Sequence, residues 1–502
     1  MLTFAFLFMK FMNKKTFYFA LLVIIILSFR FYASNFYPAL CTDDAVIILM
    51  LHNFSLPHDI YFWGQDRYGS LIPLLGQFFF KLFKLSAVSS ESITHYILLI
   101  AGYFGFAGLF QSYSNKFIFA IIWFFPPFHL IDFIRNNLGI QYALIGIAVF
   151  ALNELYASKT TLYSLKQHLL LLLCTIVLIL SIWVSDLSIV TIFILLCVLF
   201  FFYLKEHNFA IGNKFYKKPE LYYIVFGLLT TVFFIHYAKS HADKIENYEK
   251  FNDFNAIIAS IKIFCKSICE LFTFKSHELF TSIYLYLILI VSGLCLFNFR
   301  FIKLNDNNKK WLIFFMIDGV IAFSVIMLSK WSYLNGVPRR YFIPVYISLW
   351  IAFLIILEHL QLNIRLKKYI EMILITAVII GGIGTLYNFK YVLWIKTLEP
   401  RIKTANEFKS LGNIGIIADY WYSYINACPD PDMIKATPNE SSYVRNRKLA
   451  DDVFKQNKLY VIKDNWLDSF PDSLKQFGHL LLKDGEQFYL GGSDVCKYKE
   501  IK

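Results

Sequence analysis

Apolar runs of membrane-spanning length alternate with short polar, often basic, loops along most of this chain. A helix crossing the hydrocarbon core needs about 20 predominantly apolar residues. Runs of that kind cover 16–33, 93–113, 116–131, 138–155, 166–184, 187–204, 219–238, 277–298, 311–329, 341–360 and 369–390, which predicts about eleven transmembrane helices. A twelfth run, YGSLIPLLGQFFFKLFKL at 68–85, carries Gly69, Pro73, Gly76 and Gln77 in its first half and Lys81 and Lys84 in its second. It reads as a juxtamembrane helix lying along the interface.

From residue 398 the pattern changes to short alternating segments. Strands are predicted over 415–419, near MIKATP, over KLYVIKD and over EQFYLGG, with helices over WYSYINA and LADDVFKQ. The expected fold is a polytopic α-helical membrane protein with about 11 transmembrane helices over 1–397, juxtamembrane helices in its first outer loop at 34–92, and a small C-terminal α/β extracytoplasmic domain over 398–502.

Composition agrees with a bilayer as the solvent. Of 502 residues, 58% are hydrophobic and 17% charged, against roughly 45–50% and about 25% in soluble domains. An aromatic content of 19% excludes disordered and collagen-like classes. The net charge is +13, yet the tail from 398 carries 15 Lys+Arg and 15 Asp+Glu, so the whole excess lies upstream. Basic residues confined to loops between apolar runs follow the positive-inside rule and argue against nucleic acid as a partner.

That rule also sets an orientation. The loops with Lys205, Lys214, Lys217 and Lys218, with Arg300, Lys303, Lys309 and Lys310, and with Arg365, Lys367 and Lys368 are expected to be cytoplasmic. Lys10, Lys14 and Lys15 before the first apolar run make it a retained signal-anchor with the N-terminus inside. MNKKTFYFALL is the more usual start, which leaves initiation at Met1 or Met12 open. The tail and segments 34–92, 132–137, 184–186, 239–276 and 330–340 then lie outside, with the 68–85 segment not crossing. The protein is expected in the cytoplasmic membrane of a cell envelope.

Eight cysteines show no CxxC and no zinc spacing. Cys428 and Cys496 share the tail, where a disulfide and two buried thiols are equal alternatives.

Candidate chemistry concentrates in the first outer loop, CTDDAVIILMLHNFSLPHDIYFWGQDRYGSLIPLLGQ. It opens with Asp43 and Asp44 just after the first apolar run, then brings His52, His58, Asp59, Gln65, Asp66 and Arg67. Carboxylates at the water–lipid boundary suit a base that takes a proton from an incoming hydroxyl; capping of the following helix is the structural alternative. Arg339 and Arg340 stand in a loop placed outside, against the positive-inside bias, and guanidinium forks bind phosphate oxygens. Lys330 is a weaker candidate. Asp132, Arg135, Asn136 and Asp186 sit near outer turns. Asp318 inside WLIFFMIDGVIAF is expected to face protein or water. Trp63 and Tyr61 suit an interfacial belt or a sugar platform.

The acidic pair directly after the first transmembrane helix, followed by a helix and YFWGQDRYGSLIPLL, resembles the first loop of glycosyltransferase superfamily C (GT-C), nearest to bacterial protein O-mannosyltransferase-like and lipid A aminoarabinose-transferase-like membrane enzymes. Pro126-Pro127 and the PRRYFIP stretch fit the same pattern. Asp44 where relatives often carry Glu, and the single Pro73 in GSLIPLL, depart from it.

The resemblance implies a hexosyl- or pentosyltransferase using a polyprenyl-phosphate sugar donor and a glycan, lipid or protein acceptor, with membrane lipid as the surroundings. It gives Asp43 the role of base in an inverting displacement and Asp44 that of orienting the acceptor or holding an optional Mg²⁺ or Mn²⁺ ion. No cofactor is required. Arg339, Arg340 and Arg67 would bind the donor phosphate, and Asp66, Gln65, His58 and Asp186 would contact substrate. The alternatives are a transporter, flippase or polymerase of lipid-linked saccharides, or a non-catalytic scaffold. Transporters usually place ionisable groups at mid-membrane on broken helices, which favours the enzyme here.

Overall fold

The computed structural model describes residues 13–157, 163–209, 216, 218–243, 250–274, 278–388 and 399–501; the expected domain boundary at 397, Met12, Lys214 and Lys217 lie outside them. Among the described residues, nine helices are long and apolar enough to cross a membrane: Lys14–Tyr32, Asn137–Tyr156, Leu165–Val184, Ser188–Glu206, Pro219–Ser240, Leu279–Phe297, Asp306–Leu328, Arg339–His359 and Ile364–Tyr387. The protein is a polytopic helical membrane protein with a small C-terminal sheet domain.

Two of the eleven expected spans differ. The run at 93–113 becomes helix Ala87–Ala107, whose first half carries Ser89, Ser90, Glu91, Ser92, Thr94 and His95 and so lacks a full apolar window. The run at 116–131 becomes Tyr113–Phe124, a helix of 12 residues, roughly 18 Å at 1.5 Å per residue. It stops at Phe125 because the following prolines exclude helical geometry for the residue before them and remove donors. The Leu71–Leu82 segment is equally short. The expected loop at 239–276 contains helix Phe254–Phe272, capped by the Asp253 side chain on Ala256 N; its periodic Ile257, Ile258, Ile261 and Phe264 carried that signal.

The described residues fall into two compact units. One draws on Met1–Ser28, Leu98–Ile235 and Glu246–Asn388, the other on Phe29–Ile97, His236–Ile245 and Phe389–Lys502.

In the first unit, a methyl group at Gly102 would strike Ala143, and one at Gly105 would strike the Gly146 backbone. Small residues allow helices to approach this closely where lipid supplies no hydrophobic drive between them. Asp318 lies 1% exposed. Its Oδ2 accepts from the Tyr142 hydroxyl at 2.5 Å and the Ser348 hydroxyl at 2.7 Å, tying together helices Asn137–Ala157, Asp306–Leu328 and Ile343–His359. The polar residue inside an apolar run therefore joins three helices.

In the second unit the tail forms a seven-stranded sheet: β1 Ile414–Ala418, β2 Ile434–Pro438, β3 Leu459–Lys463, β4 Ser473–Gln476, β5 His479–Lys483, β6 Phe488–Leu490 and β7 Ser493–Ile501. The order is β2-β1-β3-β7-β5-β4, with β6 beside β7. β1 pairs in parallel with β2 and β3, and the remaining pairs are antiparallel. β1 is buried throughout, as a parallel strand covered on both faces should be. Helices Tyr420–Ala427 and Arg447–Phe454 supply the crossovers.

β4, β5 and β7 escaped the sequence reading. In β7, Val495, Cys496 and Tyr498 are buried between charged positions that mask the alternation. Cys428 and Cys496 are free buried thiols, not a disulfide.

Asp318→Leu should destabilise the folded protein by about 1–3 kcal/mol for each hydroxyl left unpaired, seen as a lower thermal unfolding temperature. Asp318→Asn, which keeps an acceptor oxygen, should lose clearly less.

Candidate functional site

The site is built on the N-terminus of helix Thr42–His52 in the second unit. Cys41, extended at the N-cap, donates its backbone N–H to Asp44 Oδ2 at 3.2 Å, and its thiol lies 3.4 Å from the same oxygen. Asp44 is 4% exposed. It closes the first turn as a capping residue and complements the positive helix end.

Asp43, one residue earlier, faces different partners. The Tyr420 hydroxyl donates to Asp43 Oδ1 at 3.0 Å, and Arg445 Nη2 lies 3.6 Å from that oxygen. The Asp43 side chain keeps 36% of its surface exposed, and that of Arg445 keeps 15%. No hydrogen bond reaches Asp43 Oδ2 among the described residues, and about a third of the side chain's surface is open.

Tyr420 is the hinge of this arrangement. Its hydroxyl accepts from Arg445 Nε at 2.9 Å while donating to Asp43, and its carbonyl accepts from the Thr42 hydroxyl at 2.6 Å. Burial, with the Asp43 charge beside it, pushes the Tyr420 hydroxyl well above its ordinary range and keeps it a donor. The Arg445 guanidinium stands 4.7 Å from the Tyr443 ring, 5.1 Å from Phe62 and 5.5 Å from Tyr420, and its backbone N–H donates to the Tyr424 hydroxyl at 3.0 Å. Three ring faces hold its plane.

The rest of the first loop is fastened by Asp59, 3% exposed. It accepts from Ser55 N at 2.7 Å and from Trp63 Nε1 at 2.7 Å. Trp63 is thereby a buried anchor, 5% exposed. Gly64 adopts φ +70° where a Cβ would come within 3.0 Å of the Tyr443 hydroxyl, which itself donates to Gly64 O. Only glycine fits there.

His58 Nδ1 sits 3.0 Å from Asp59 Oδ1 with its ring mostly exposed. Gln65 is buried and accepts from Arg67 Nε at 3.3 Å; Asp66 and Arg67 are half-buried beside it. His52 Nε2 reaches Asp432 Oδ2 at 3.4 Å.

In the first unit, the Arg339 guanidinium lies 4.3 Å from the Phe128 ring centroid, and Arg340 lies 5.6 Å from that of Tyr341. Thr385 holds the Pro126-Pro127 turn, donating to Pro126 O at 2.7 Å and accepting from Phe128 N at 3.1 Å. His129 Nε2 is 2.7 Å from Glu278 Oε1. Asp186 is half-buried in the turn before Ser188–Glu206, whose N-cap position is Leu187.

No family model and no curated protein matches the chain. Among solved structures, it is similar to ArnT from Cupriavidus metallidurans in the apo state, at 8% identity over 96% of this chain and 97% of that one, with a TM-score of 0.42. It is also similar to the Archaeoglobus fulgidus oligosaccharyltransferase complex with Zn and sulfate, at 12% identity over 88% of this chain and 68% of that one, with a TM-score of 0.30.

The pair Asp43–Asp44 does not fit a divalent cation. One Asp44 oxygen is engaged by the Cys41 cap, and the Arg445 guanidinium already stands 3.6 Å from Asp43 Oδ1. Among the described residues no group of three or more His, Cys, Asp or Glu is placed to hold a metal.

Tyr420, Arg445, Tyr443 and Tyr424 were invisible to sequence reasoning. They lie nearly four hundred residues from Asp43 in a charge-balanced tail, and no spacing links them to it. The same holds for a second acidic pair at the carboxyl ends of β1 and β3. Asp419 N donates to Asp464 Oδ2 at 3.5 Å, the Asp419 side chain caps Tyr422 N at 2.9 Å, and the Arg401 charge acts on both carboxylates.

Burial and the neighbouring Asp419 charge push the Asp464 carboxyl up to about 6. A raised acid favours the protonated native state, so its contribution is full below the ordinary value of roughly 3.9 and is lost as pH climbs through about 6. Asp464→Asn should therefore unfold at a higher temperature than the parent protein above pH 6, and the difference should vanish below pH 4.

Proposed function

We propose that this protein is an integral-membrane glycosyltransferase that moves a sugar from a polyprenyl-phosphate donor to a hydroxyl of a glycan, lipid or protein acceptor at the outer face of the cytoplasmic membrane. The observation that carries this reading is the Asp43 carboxylate, fixed through Oδ1 by Tyr420 and Arg445 while its side chain stays partly exposed. The likeness of its loop to the first loop of superfamily C supports the same conclusion.

In this reaction Asp43 takes the acceptor proton as the hydroxyl oxygen attacks the anomeric carbon. The bond from that carbon to the phosphate oxygen breaks with its electron pair, and the lipid phosphate departs with inversion at the sugar. A phosphate is a competent leaving group, so one base suffices. Arg339, Arg340 and Arg67 are assigned to the phosphate charge. Gln65, Asp66, His58 and Asp186 are assigned to acceptor or sugar hydroxyls.

Asp44 acts through the helix end, and Arg445 and Tyr420 are positioning residues. They hold Asp43 in one rotamer through contacts to Oδ1. No step is routed through a metal ion.

Asp43→Asn should lower transfer by about 10²–10⁴-fold with unchanged membrane insertion, measured by mass spectrometry of surface glycans from cells carrying each variant. Normal glycans from the Asn variant would remove the mechanism. Tyr420→Phe should lower kcat by less, about tenfold for one lost hydrogen bond. Arg339→Ala should chiefly raise KM for the polyprenyl-phosphate donor.

A further inference from the structure

A cavity of about 370 Å³ lies in the first unit among helices Asn137–Ala157, Leu165–Val184, Ser188–Glu206 and Pro219–Ser240. Its body is hydrocarbon, with Leu152, Leu171, Leu178, Leu195 and Leu228 in its walls. The two threonines there turn their hydroxyls back onto their own helices, Thr175 to Leu171 O at 2.9 Å and Thr231 to Gly227 O at 2.7 Å. The walls therefore offer an apolar chain a surface with little unmet polarity.

Charge gathers at one end. Lys218, Lys310, Glu206 and Glu220 line the mouth. Lys310 is only 8% exposed, with Nζ 3.6 Å from the Tyr156 ring centroid, and Lys218 Nζ lies 4.2 Å from that of Tyr203. Neither ammonium makes an ion pair among the described residues. Glu220 Oε1 accepts from the Tyr163 hydroxyl, whereas Oε2 is buried with no hydrogen-bond partner. Glu206 is exposed.

The ammonium of the largely buried Lys310 rests on ring faces with no carboxylate in ion-pair reach among the described residues, and the buried Glu220 Oε2 lacks a donor. We propose that the cavity holds an acyl chain of a phosphoethanolamine lipid from the surrounding bilayer, with its phosphate on Lys218 and Lys310 and its ammonium on Glu220 and Glu206. Two cations and two carboxylates match a zwitterionic headgroup carrying hydrogen-bond donors. An anionic phosphoglycerol headgroup brings hydroxyl donors but no cation to set against the two carboxylates, and a quaternary ammonium could not donate to Glu220 Oε2.

Within the first unit this site is separate from Arg339 and Arg340. Helix Asp306–Leu328 has 23 residues, roughly 34 Å of rise. Lys310 stands in its first turns and Arg339 lies beyond its other end. The basic loops near Lys205, Arg300 and Lys309 share the Lys310 end, so the positive-inside rule assigns the lipid to the cytoplasmic leaflet.

The test is native mass spectrometry of the full-length protein released from nanodiscs containing equal parts of phosphatidylethanolamine, phosphatidylglycerol and phosphatidylcholine. The parent protein should retain one phosphatidylethanolamine per chain. Lys310→Gln and Lys218→Gln should each lower that retention at least about tenfold. Glu220→Gln should lower it while leaving phosphatidylglycerol retention unchanged, and Thr175→Phe, which fills the apolar body, should remove it at unchanged helical circular dichroism. Equal retention of the three lipids by the parent, or full phosphatidylethanolamine retention by both lysine variants, overturns the proposal.

Discussion

The contact between Asp43 and the Tyr420–Arg445 pair governs the second compact unit. A carboxylate at a helix N-terminus is stabilised by the helix dipole, but that alone leaves its rotamer free. Here a tyrosine hydroxyl and a guanidinium from the tail fix one oxygen, and the guanidinium is clamped by three aromatic rings. The tail therefore shapes the first loop directly. Thr42 on Tyr420 O, Tyr443 on Gly64 O and Cys428 against Ala45 O at 3.6 Å repeat the same association.

Two adjacent carboxylates do different work because consecutive helical positions face different directions. Asp44 points back along the helix end, is buried, and fastens Cys41. Asp43 points toward the tail and stays partly open. The Asp419–Asp464 pair is a third arrangement: like charges at neighbouring strand ends in a partly buried setting, where one proton is held to higher pH. Equal residue types thus acquire separate roles from burial and neighbours.

In the membrane unit, polar atoms withdrawn from water are used to join helices. Asp318 collects two hydroxyls from two other helices, and Thr385 closes the break left by Pro126 and Pro127. At the mouth of the apolar cavity, by contrast, Glu220 Oε2 is buried with no hydrogen-bond partner and the Lys310 ammonium rests on the Tyr156 ring. That contrast is why a lipid headgroup is the natural complement there.

Much of the architecture was legible in the sequence, since twenty apolar residues in a row have no stable home except a bilayer or a core. The runs at 166–184 and 311–329 showed themselves this way, and GIIAD and KLYVIKD showed themselves as strands. Polar residues in Ala87–Ala107 and the prolines after Phe124 were also on the page, and they shortened two expected spans by local effects that a hydropathy count overlooks. The acidic pair was readable as chemistry, but not the division of labour between Asp43 and Asp44. That division, the Tyr420–Arg445 clamp and the Asp419–Asp464 pair were decided only by the tertiary structure. Orientation, burial and approach between residues hundreds of positions apart depend on packing, and local sequence carries no record of it.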